Sequence, residues 1–310
     1  MKQGIIFPGQ GAQFEGMGRD WCEASSVAKD TFAEASEALG FSLEEACWES
    51  GDEVHRTDIA QPGILVTSVA VIRALETEHG LDRSAAAVTA GLSLGEYTAL
   101  WCADSLDFAD AVRLVRLRGE AMQRASEEVP SGMLSLMGGD EEKAKALAEV
   151  GSAHGICSVA NLNSPGQVVL SGEHAALDAA AEVARDHGVR RARKLTVAGG
   201  FHSECMRSAA DALAAALADV TFRAPRIPFV TNVTGQPVED PEAIRRNLAE
   251  QVCSPVRWED SMRWAVAQGI QDWLEPAPGA VLAGLLRKID PDARVRSAAT
   301  PAALAEEGSA

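Results

Sequence analysis

From residue 1 to about residue 125 the chain alternates short apolar segments with longer amphipathic segments. Residues 5–7 and 87–90 form apolar runs whose length is typical of buried strands. Residues 61–76 carry apolar side chains at helical spacing, with Pro62 near the first turn, and residues 106–127 predict a second long helix. This alternation indicates a mainly parallel sheet that helices cover on both faces.

The segment from residue 128 to residue 196 has a different order of elements. Its pattern predicts strands at 133–137, 156–160, 167–170 and 191–197 and helices at 140–150 and 173–187. The order βαββαβ is the ferredoxin-like arrangement. We therefore predict an α/β protein in which a large α/β-hydrolase-like domain, residues 1–127 and 197–310, carries an inserted small ferredoxin-like domain, residues 128–196.

After residue 197 the pattern predicts a return to the large domain. A helix is expected at 203–217 and a strand near 229–231. The last dozen or so residues are rich in Ala, Ser and Glu, which is typical of a loose tail.

Composition argues against several classes of protein. The formal net charge of −17 disfavours general nucleic-acid binding. No apolar run approaches the roughly 20 residues that span a bilayer, and the N-terminus lacks the pattern of a signal peptide. Six scattered cysteines without a C-x-x-C pair argue against a zinc site or a disulfide framework. We expect a cytoplasmic monomer that holds no metal and binds neither nucleic acid nor membrane.

The pentapeptide Gly91-Leu92-Ser93-Leu94-Gly95 lies between a strand pattern and a helix pattern. That context is typical of a nucleophile elbow, whose tight turn leaves no room for a Cβ at either glycine. The serine hydroxyl would then lie at a helix N-terminus, where a main-chain N–H can face an oxyanion. On the pentapeptide alone, a glycine-rich turn with a capping serine explains the pattern too.

Three further positions could complete such a site. His202 follows a strand end with two glycines and begins the predicted helix at 203–217, either as a catalytic base or as a helix cap. The segment 7–13, FPGQGAQ, could bring main-chain N–H groups close to a ligand or could be a simple turn. Arg118 lies between an apolar residue and a glycine, where it could face inward and bind a carboxylate or could remain at the surface.

Nine segments, taken in order over nearly the whole chain, resemble the malonyltransferase family, the malonyl-CoA:acyl carrier protein transacylases of fatty-acid synthesis. Acyltransferase domains of polyketide synthases are related to it. The matching segments are residues 7–13, 61–62, 93–96, 118–119, 159–167, 201–202, 232–233, 251–258 and 275–279.

The resemblance implies a role for each matching position. Ser93 would be the nucleophile and His202 the general base, with a main-chain carbonyl near Gln251 orienting the imidazole. Main-chain N–H groups of Gln10 and Leu94 would form the oxyanion hole.

Substrate binding would involve Arg118, which would pair with the free carboxylate of malonate and so favour malonyl over acetyl. The other expected substrate-binding residues are Asn161, Gly9, Leu92 and Phe201. Leu92 is a departure, since most family members have histidine there, and it bears on acyl selectivity.

The implied partners are malonyl-CoA as donor, with no permanently bound cofactor, and acyl carrier protein as acceptor. Because that carrier is acidic, an acidic enzyme needs a local basic patch to bind it. Candidates are Arg190, Arg191, Arg287 and Lys288, although these can equally be ordinary solvated charges. Alternative functions are a polyketide-pathway acyltransferase, an acyl hydrolase of the same fold that clears carrier proteins, and a catalytically silent scaffold subunit.

Overall fold

The computed structural model describes residues 2–307 and contains two separate β-sheets. In this part of the chain the strands are β1 Gln3–Phe7, β2 Val88–Gly91, β3 Ser131–Met137, β4 Cys157–Ser164, β5 Gln167–Glu173, β6 Arg191–Lys194, β7 Phe229–Val230, β8 Asp272–Pro276 and β9 Arg294–Ala298. The helices are α1 Arg19–Ala24, α2 Ser26–Leu39, α3 Leu43–Trp48, α4 Thr57–His79, α5 Gly95–Cys102, α6 Phe108–Glu128, α7 Glu141–Ser152, α8 His174–Glu182, α9 Arg207–Ala218, α10 Pro241–Gln251, α11 Trp258–Ala267, α12 Val281–Ile289 and α13 Pro301–Glu307.

The larger sheet has the order β7-β2-β1-β8-β9, and every neighbouring pair in it is parallel. Successive residues of β1 face opposite sides. Phe7 packs in the cluster formed with α2, α4 and α6, whereas Ile6 packs with α11 and α12. Because both faces are covered, the inner strands β1 and β2 are almost entirely buried, whereas the edge strand β9 carries the exposed Arg294 and Arg296. The predicted α/β class with a mainly parallel sheet is confirmed.

The smaller sheet has the order β4-β5-β3-β6 with every pair antiparallel. Helices α7 and α8 supply the rest of a separate apolar cluster. This arrangement confirms the ferredoxin-like order of elements, while the domain boundaries at residues 128 and 196 stay a prediction. The outer strand β4 also pairs with a segment outside the small sheet, because Asn161 forms a parallel bridge with Val256, just before α11.

Helix α4 begins four residues before the predicted start, so Pro62 lies inside it. Proline cannot donate a hydrogen bond to the carbonyl four residues earlier, that of Asp58. Arg116 Nη1 donates to this carbonyl at 2.7 Å instead. The helix continues through the proline because a side chain satisfies the acceptor that the proline leaves free.

The same helix is apolar enough to span a membrane by length and composition, with a mean hydropathy of 1.3 over its best window, of which 89% is buried. Polar residues such as Thr67 and Ser68 interrupt its apolar stretch, so the sequence alone shows no continuous apolar run of spanning length. Its burial identifies it as the central core helix of the larger unit.

Two expectations about the later chain are wrong. The region expected to be a loose tail contains α13, which docks through the buried side chain of Leu304; residues 308–310 lie outside the described residues. His202 does not begin a helix. It lies in a turn, and α9 begins five residues later, after a 3₁₀ turn at Glu204–Met206.

Candidate active site

The Ser93 turn lies at the carboxyl edge of the large sheet, where β1 and β2 end side by side with Phe7 opposite Gly91. Ser93 has a φ of +52°, which is uncommon for a residue with a side chain. A Cβ added to Gly91 would overlap the main chain of Gly95, and one added to Gly95 would overlap the carbonyl of Phe7. Glycine is therefore required at both positions, as the pentapeptide predicts.

Asn232 supports this turn from the loop after β7. Its side-chain Oδ1 accepts from the main-chain N–H of Ser93 at 2.6 Å, and its Nδ2 donates to the carbonyl of Gly91 at 2.7 Å. The asparagine is fully buried. Although the segment 232–233 was part of the resemblance, sequence reasoning assigned no function to Asn232.

His202 lies in the segment that follows β6, the last strand of the small sheet. Its φ is +61°, and its ring is buried. The turn is attached to β3, because Gly200 N–H donates to Ser131 Oγ at 2.8 Å, and to β5, because Ser203 Oγ lies 3.3 Å from Ser171 Oγ.

His202 is in position to act as a base. Its Nε2 lies 2.8 Å from Ser93 Oγ, and its Nδ1 lies 2.8 Å from the main-chain carbonyl oxygen of Gln251. A carbonyl only accepts, so Nδ1 carries the proton and Nε2 accepts from the serine hydroxyl. Burial, together with the positive charge of Arg118, lowers the pKa of His202 to about 4. The imidazole is therefore neutral at pH 7.

Arg118 faces inward, as expected, and is buried. Its Nη2 donates to Ser93 Oγ and to Gln251 Oε1, both at 3.0 Å, and its Nη1 donates to Gln61 Oε1 at 2.8 Å. Its Nε has no hydrogen-bond partner among the described residues. Burial lowers the pKa of the guanidinium. A buried cation with a free donor beside the nucleophile is a site for an anionic group.

The Gln251 side chain joins several of these groups. Besides accepting from Arg118, its amide donates from Nε2 to the carbonyl of Ser93 at 3.0 Å and to the carboxylate of Glu96. Glu96, in the first turn of α5, and Gln61, on α4, were quoted among the matching segments but were given no role.

Gln10 and Leu94 each bring a main-chain N–H to the neighbourhood of Ser93. Within residues 2–307 neither N–H has a hydrogen-bond partner. Gly9 is packed against the carbonyl of Leu92, and the N–H of Leu92 donates to Phe7 at 3.1 Å. Close packing of the two loops thus brings the predicted oxyanion donors to one edge of the sheet.

Two other expected substrate-binding residues make no hydrogen bond to the reacting groups in the described part of the chain. Asn161 lies at a bulge in β4 beside Val256 and is buried. Phe201 precedes His202 and is buried in the main apolar cluster.

The four expected carrier-docking residues are exposed. Arg190 N–H donates to the Met137 carbonyl, and Arg191 pairs with Met137 in the ladder. Lys288 Nζ donates to Gln167 at 3.0 Å, and Gln167 pairs with Met137 from the other side.

Arg190, Arg191 and Lys288 therefore lie at the end of the small sheet that contains Met137. The opposite end of β3, Ser131, bonds the His202 turn, and strand geometry separates the two ends by about 20 Å. Arg287 also lines an open cavity of about 590 Å³ beside Asp272 and Arg294. As for metals, no group of three or more His, Cys, Asp or Glu suited to an ion occurs in the described residues.

Comparison with known proteins agrees with this geometry. Residues 5–299 match the family model described as "Acyl transferase domain". The chain is 40% identical over 287 residues, 92% of each chain, to a protein of Escherichia coli strain K12 named malonyl CoA-acyl carrier protein transacylase. The chain therefore belongs to the acyl transferase domain family and, within it, to the malonyl CoA-acyl carrier protein transacylases.

Solved structures show the same relationship. An acyl carrier protein S-malonyltransferase from Vibrio cholerae superposes with a TM-score of 0.93 at 38% identity, over 99% of this chain and 100% of that one. A malonyl-transacylase solved in complex with its type II PKS acyl-carrier protein matches with a TM-score of 0.92 at 37% identity, over 98% of each chain.

Proposed function

We propose that the protein transfers the malonyl group from malonyl-CoA to the phosphopantetheine thiol of an acyl carrier protein, through an ester on Ser93. The observation that carries this proposal is the contact of one hydroxyl with a base and a buried cation. Ser93 Oγ lies 2.8 Å from His202 Nε2 and 3.0 Å from Arg118 Nη2. The family and its named members support the same reaction.

In the first half-reaction, Ser93 Oγ attacks the thioester carbonyl while His202 Nε2 takes the hydroxyl proton. The tetrahedral intermediate collapses, its C–S bond breaks, and the departing CoA sulfur takes the proton from His202. In the second half, the carrier thiol gives its proton to His202 and attacks the malonyl ester; the ester C–O bond then breaks, and Ser93 Oγ leaves with the proton from His202. The main-chain N–H groups of Gln10 and Leu94 hold the oxyanion in both halves. One such donor contributes about 10²–10³ in rate.

Arg118 selects the acyl group. The free carboxylate of malonyl accepts from the unpartnered Nε and from Nη2, which then releases the serine hydroxyl for attack. An acetyl group would leave the buried cation without an anion, a large cost. Leu92, Phe201, Gly9 and Asn161 shape the rest of the acyl pocket in this proposal.

We propose that the carrier docks on the basic end of the small sheet and extends its prosthetic arm to Ser93. Changing both Arg190 and Arg191 to glutamate should raise the KM for the carrier and leave that for malonyl-CoA unchanged. Arg113→Glu, an exposed reversal on α6, is the matched control. Equal changes in both KM values would contradict docking at this patch.

The experiment that tests the function is intact-protein mass spectrometry after mixing with malonyl-CoA. We expect one malonyl adduct that disappears on adding carrier with its prosthetic arm. Acetyl-CoA should give little adduct and Ser93→Ala none. Release of free malonate without carrier would instead indicate an acyl hydrolase, and absence of both adduct and turnover would indicate a scaffold.

The similarity to a polyketide transacylase solved with its carrier favours a second candidate acceptor. Parallel assays with a fatty-acid carrier and a type II polyketide carrier distinguish the two. We expect the higher kcat/KM with the fatty-acid carrier, because the nine matching segments resemble the transacylases of fatty-acid synthesis. A higher kcat/KM with the polyketide carrier would instead assign the enzyme to polyketide synthesis.

A further inference from the structure

A buried carboxylate lies beside the reacting groups and has no role in the reaction described above. Glu96 is fully buried at the start of α5, three residues after Ser93. One of its oxygens accepts from the main-chain N–H of Asn232 at 3.3 Å, and the other accepts from Gln251 Nε2. Burying a carboxylate is costly unless donors hold it, and one of these two donors belongs to Gln251, which also contacts Arg118.

The geometry around Gln251 fixes how this carboxylate acts. Arg118 can only donate, and the Ser93 carbonyl can only accept, so Oε1 faces the guanidinium and Nε2 faces Ser93 and Glu96. The main-chain carbonyl of the same residue holds His202 Nδ1. Moving Gln251 would therefore move the acceptor of the base and one acceptor of the cation together.

We propose that Glu96 is a positioning residue for acyl transfer, acting through Gln251 on both His202 and Arg118. In a serine hydrolase triad the carboxylate contacts the imidazole directly. Here a glutamine lies between the two, so one acid orients both the base and the carboxylate-binding cation. This inference rests on the proposed malonyl transfer, since its effect is on the acylation of Ser93.

The charge of Glu96 supports the same arrangement. Arg118 makes no ion pair with a carboxylate among the described residues; the neutral Gln251 amide lies between Glu96 and the guanidinium, donating to the first and accepting from the second, and the two charges attract across it. The ionisable side chains around Glu96 are Arg118 of α6, Tyr97 of its own helix and, beyond Gln251, His202. Burial raises the pKa of Glu96 to about 7.

Both oxygens of Glu96 face N–H donors, and the ionised carboxylate accepts more strongly from both than the protonated acid does. The variant Glu96→Gln keeps the size but turns an amide N–H₂ toward one donor. We expect the rate of malonyl adduct formation to fall about 10- to 100-fold, the usual effect of losing a hydrogen bond to a charged group. The preference for malonyl over acetyl should fall as well, because Arg118 is less firmly held.

Glu275→Gln is the matched control. Glu275 is also fully buried, burial raises its pKa to about 7 as well, and it accepts from two main-chain N–H groups at the start of α12. We expect this variant to lower the melting temperature while the acylation rate and the malonyl preference stay unchanged.

A double-mutant cycle tests whether the effect passes through Gln251. Gln251→Met removes the amide and keeps the main-chain carbonyl. Adding Glu96→Gln to it should lower the rate by less than about twofold further, since coupled positions are not additive. Full multiplication of the two single effects would overturn the proposal.

The pH profile separates positioning from stability. The wild-type acylation rate should rise as pH passes through about 7, when Glu96 ionises, and both Glu96→Gln and Gln251→Met should lack this step. If Glu96→Gln does not fold, Gln251→Met alone gives the readout. A step retained in the variants would refute the positioning role, whereas a wild type that forms no adduct would refute the transfer itself.

Discussion

Ser93 and His202 share an unusual backbone conformation, with φ values of +52° and +61°, but different parts of the molecule hold them there. The Ser93 turn closes on its own flanking glycines, Gly91 and Gly95. The His202 turn is attached by Ser131 Oγ, a side chain about 70 residues earlier, on the other sheet. The tightness of the nucleophile turn is thus determined by glycines within it, with Asn232 adding support, whereas the base is positioned by tertiary contact.

This difference has a consequence for mutational sensitivity. A local steric constraint has no way to relax, because the overlapping atoms are main chain on both sides. A tertiary hydrogen bond can be lost while packing retains an approximate position. We therefore expect substitutions in the Ser93 turn to lower the acylation rate more than substitutions in the His202 turn.

The largest effect should come from Gly91→Ala. The added methyl overlaps the main chain of Gly95, so the turn must open, and forced overpacking costs about 1–3 kcal/mol or more. We expect adduct formation on Ser93 to fall more than about 100-fold, with a lower melting temperature. The control is Gly284→Ala in α12, where nothing lies within 4 Å of the added methyl. Full activity in Gly91→Ala would show that the turn around Ser93 does not require glycine at position 91.

Asn232→Ala should have the next largest effect. It leaves the buried Ser93 N–H without its acceptor, a loss of about 1–3 kcal/mol. Acylation should slow about 10- to 100-fold, measured by quenched-flow mass spectrometry. Asn247→Ala on α10 removes an amide that makes no side-chain hydrogen bond in the described structure. If both variants acylate at the wild-type rate, the asparagine is not needed to hold the turn.

Ser131→Ala tests the His202 turn. Gly200 N–H loses its acceptor, and the His202 turn loses one connection to β3. We expect acylation to slow by about tenfold or less, because one neutral hydrogen bond contributes about 1 kcal/mol. Ser135→Ala on the same strand is the control. A loss larger than that of Gly91→Ala would reverse the expected order of the two turns.

The smallest expected effect is on the pKa of His202. Since burial and Arg118 hold the pKa of His202 at about 4, its NMR titration should fall well below the usual 6.5. Arg118→Gln should move it upward, and His202→Gln assigns the signal. The stability that the neutral imidazole contributes is present above pH 6.5 and is lost as pH falls through about 4. A titration near 6.5 in the wild type would contradict this environment.

The sequence predicted most of the fold because apolar periodicity is a local property. The parallel sheet, the βαββαβ order and the strand-turn-helix around Ser93 all follow from runs of neighbouring residues. It placed α4 too short because Pro62 leaves the Asp58 carbonyl free, and the donor that satisfies this carbonyl comes from Arg116 on another helix. It missed α13 because Leu304 is the single large apolar side chain by which the described part of that segment docks.

For the site, the residue types predicted which side chains to expect but not the hydrogen bonds that connect them. The inward direction of Arg118 was open on its helix and followed only from the resemblance. The roles of Asn232 and Glu96 depend on hydrogen bonds that span more than 130 residues. No spacing along the chain signals such contacts.

Two main-chain hydrogen bonds cross the seam between the two units at β4, where Leu162 N–H donates to the carbonyl of Val256 and Val256 N–H donates to that of Ala160. Hydrogen bonds of this kind do not depend on side-chain identity. Homologous small sheets should therefore be exchangeable between family members, provided that the side chains that pack in the main apolar cluster, Met133, Ala160 and Val169, are matched. Recombination, in nature or in the laboratory, could then combine one member's catalytic edge with the carrier-facing surface of another.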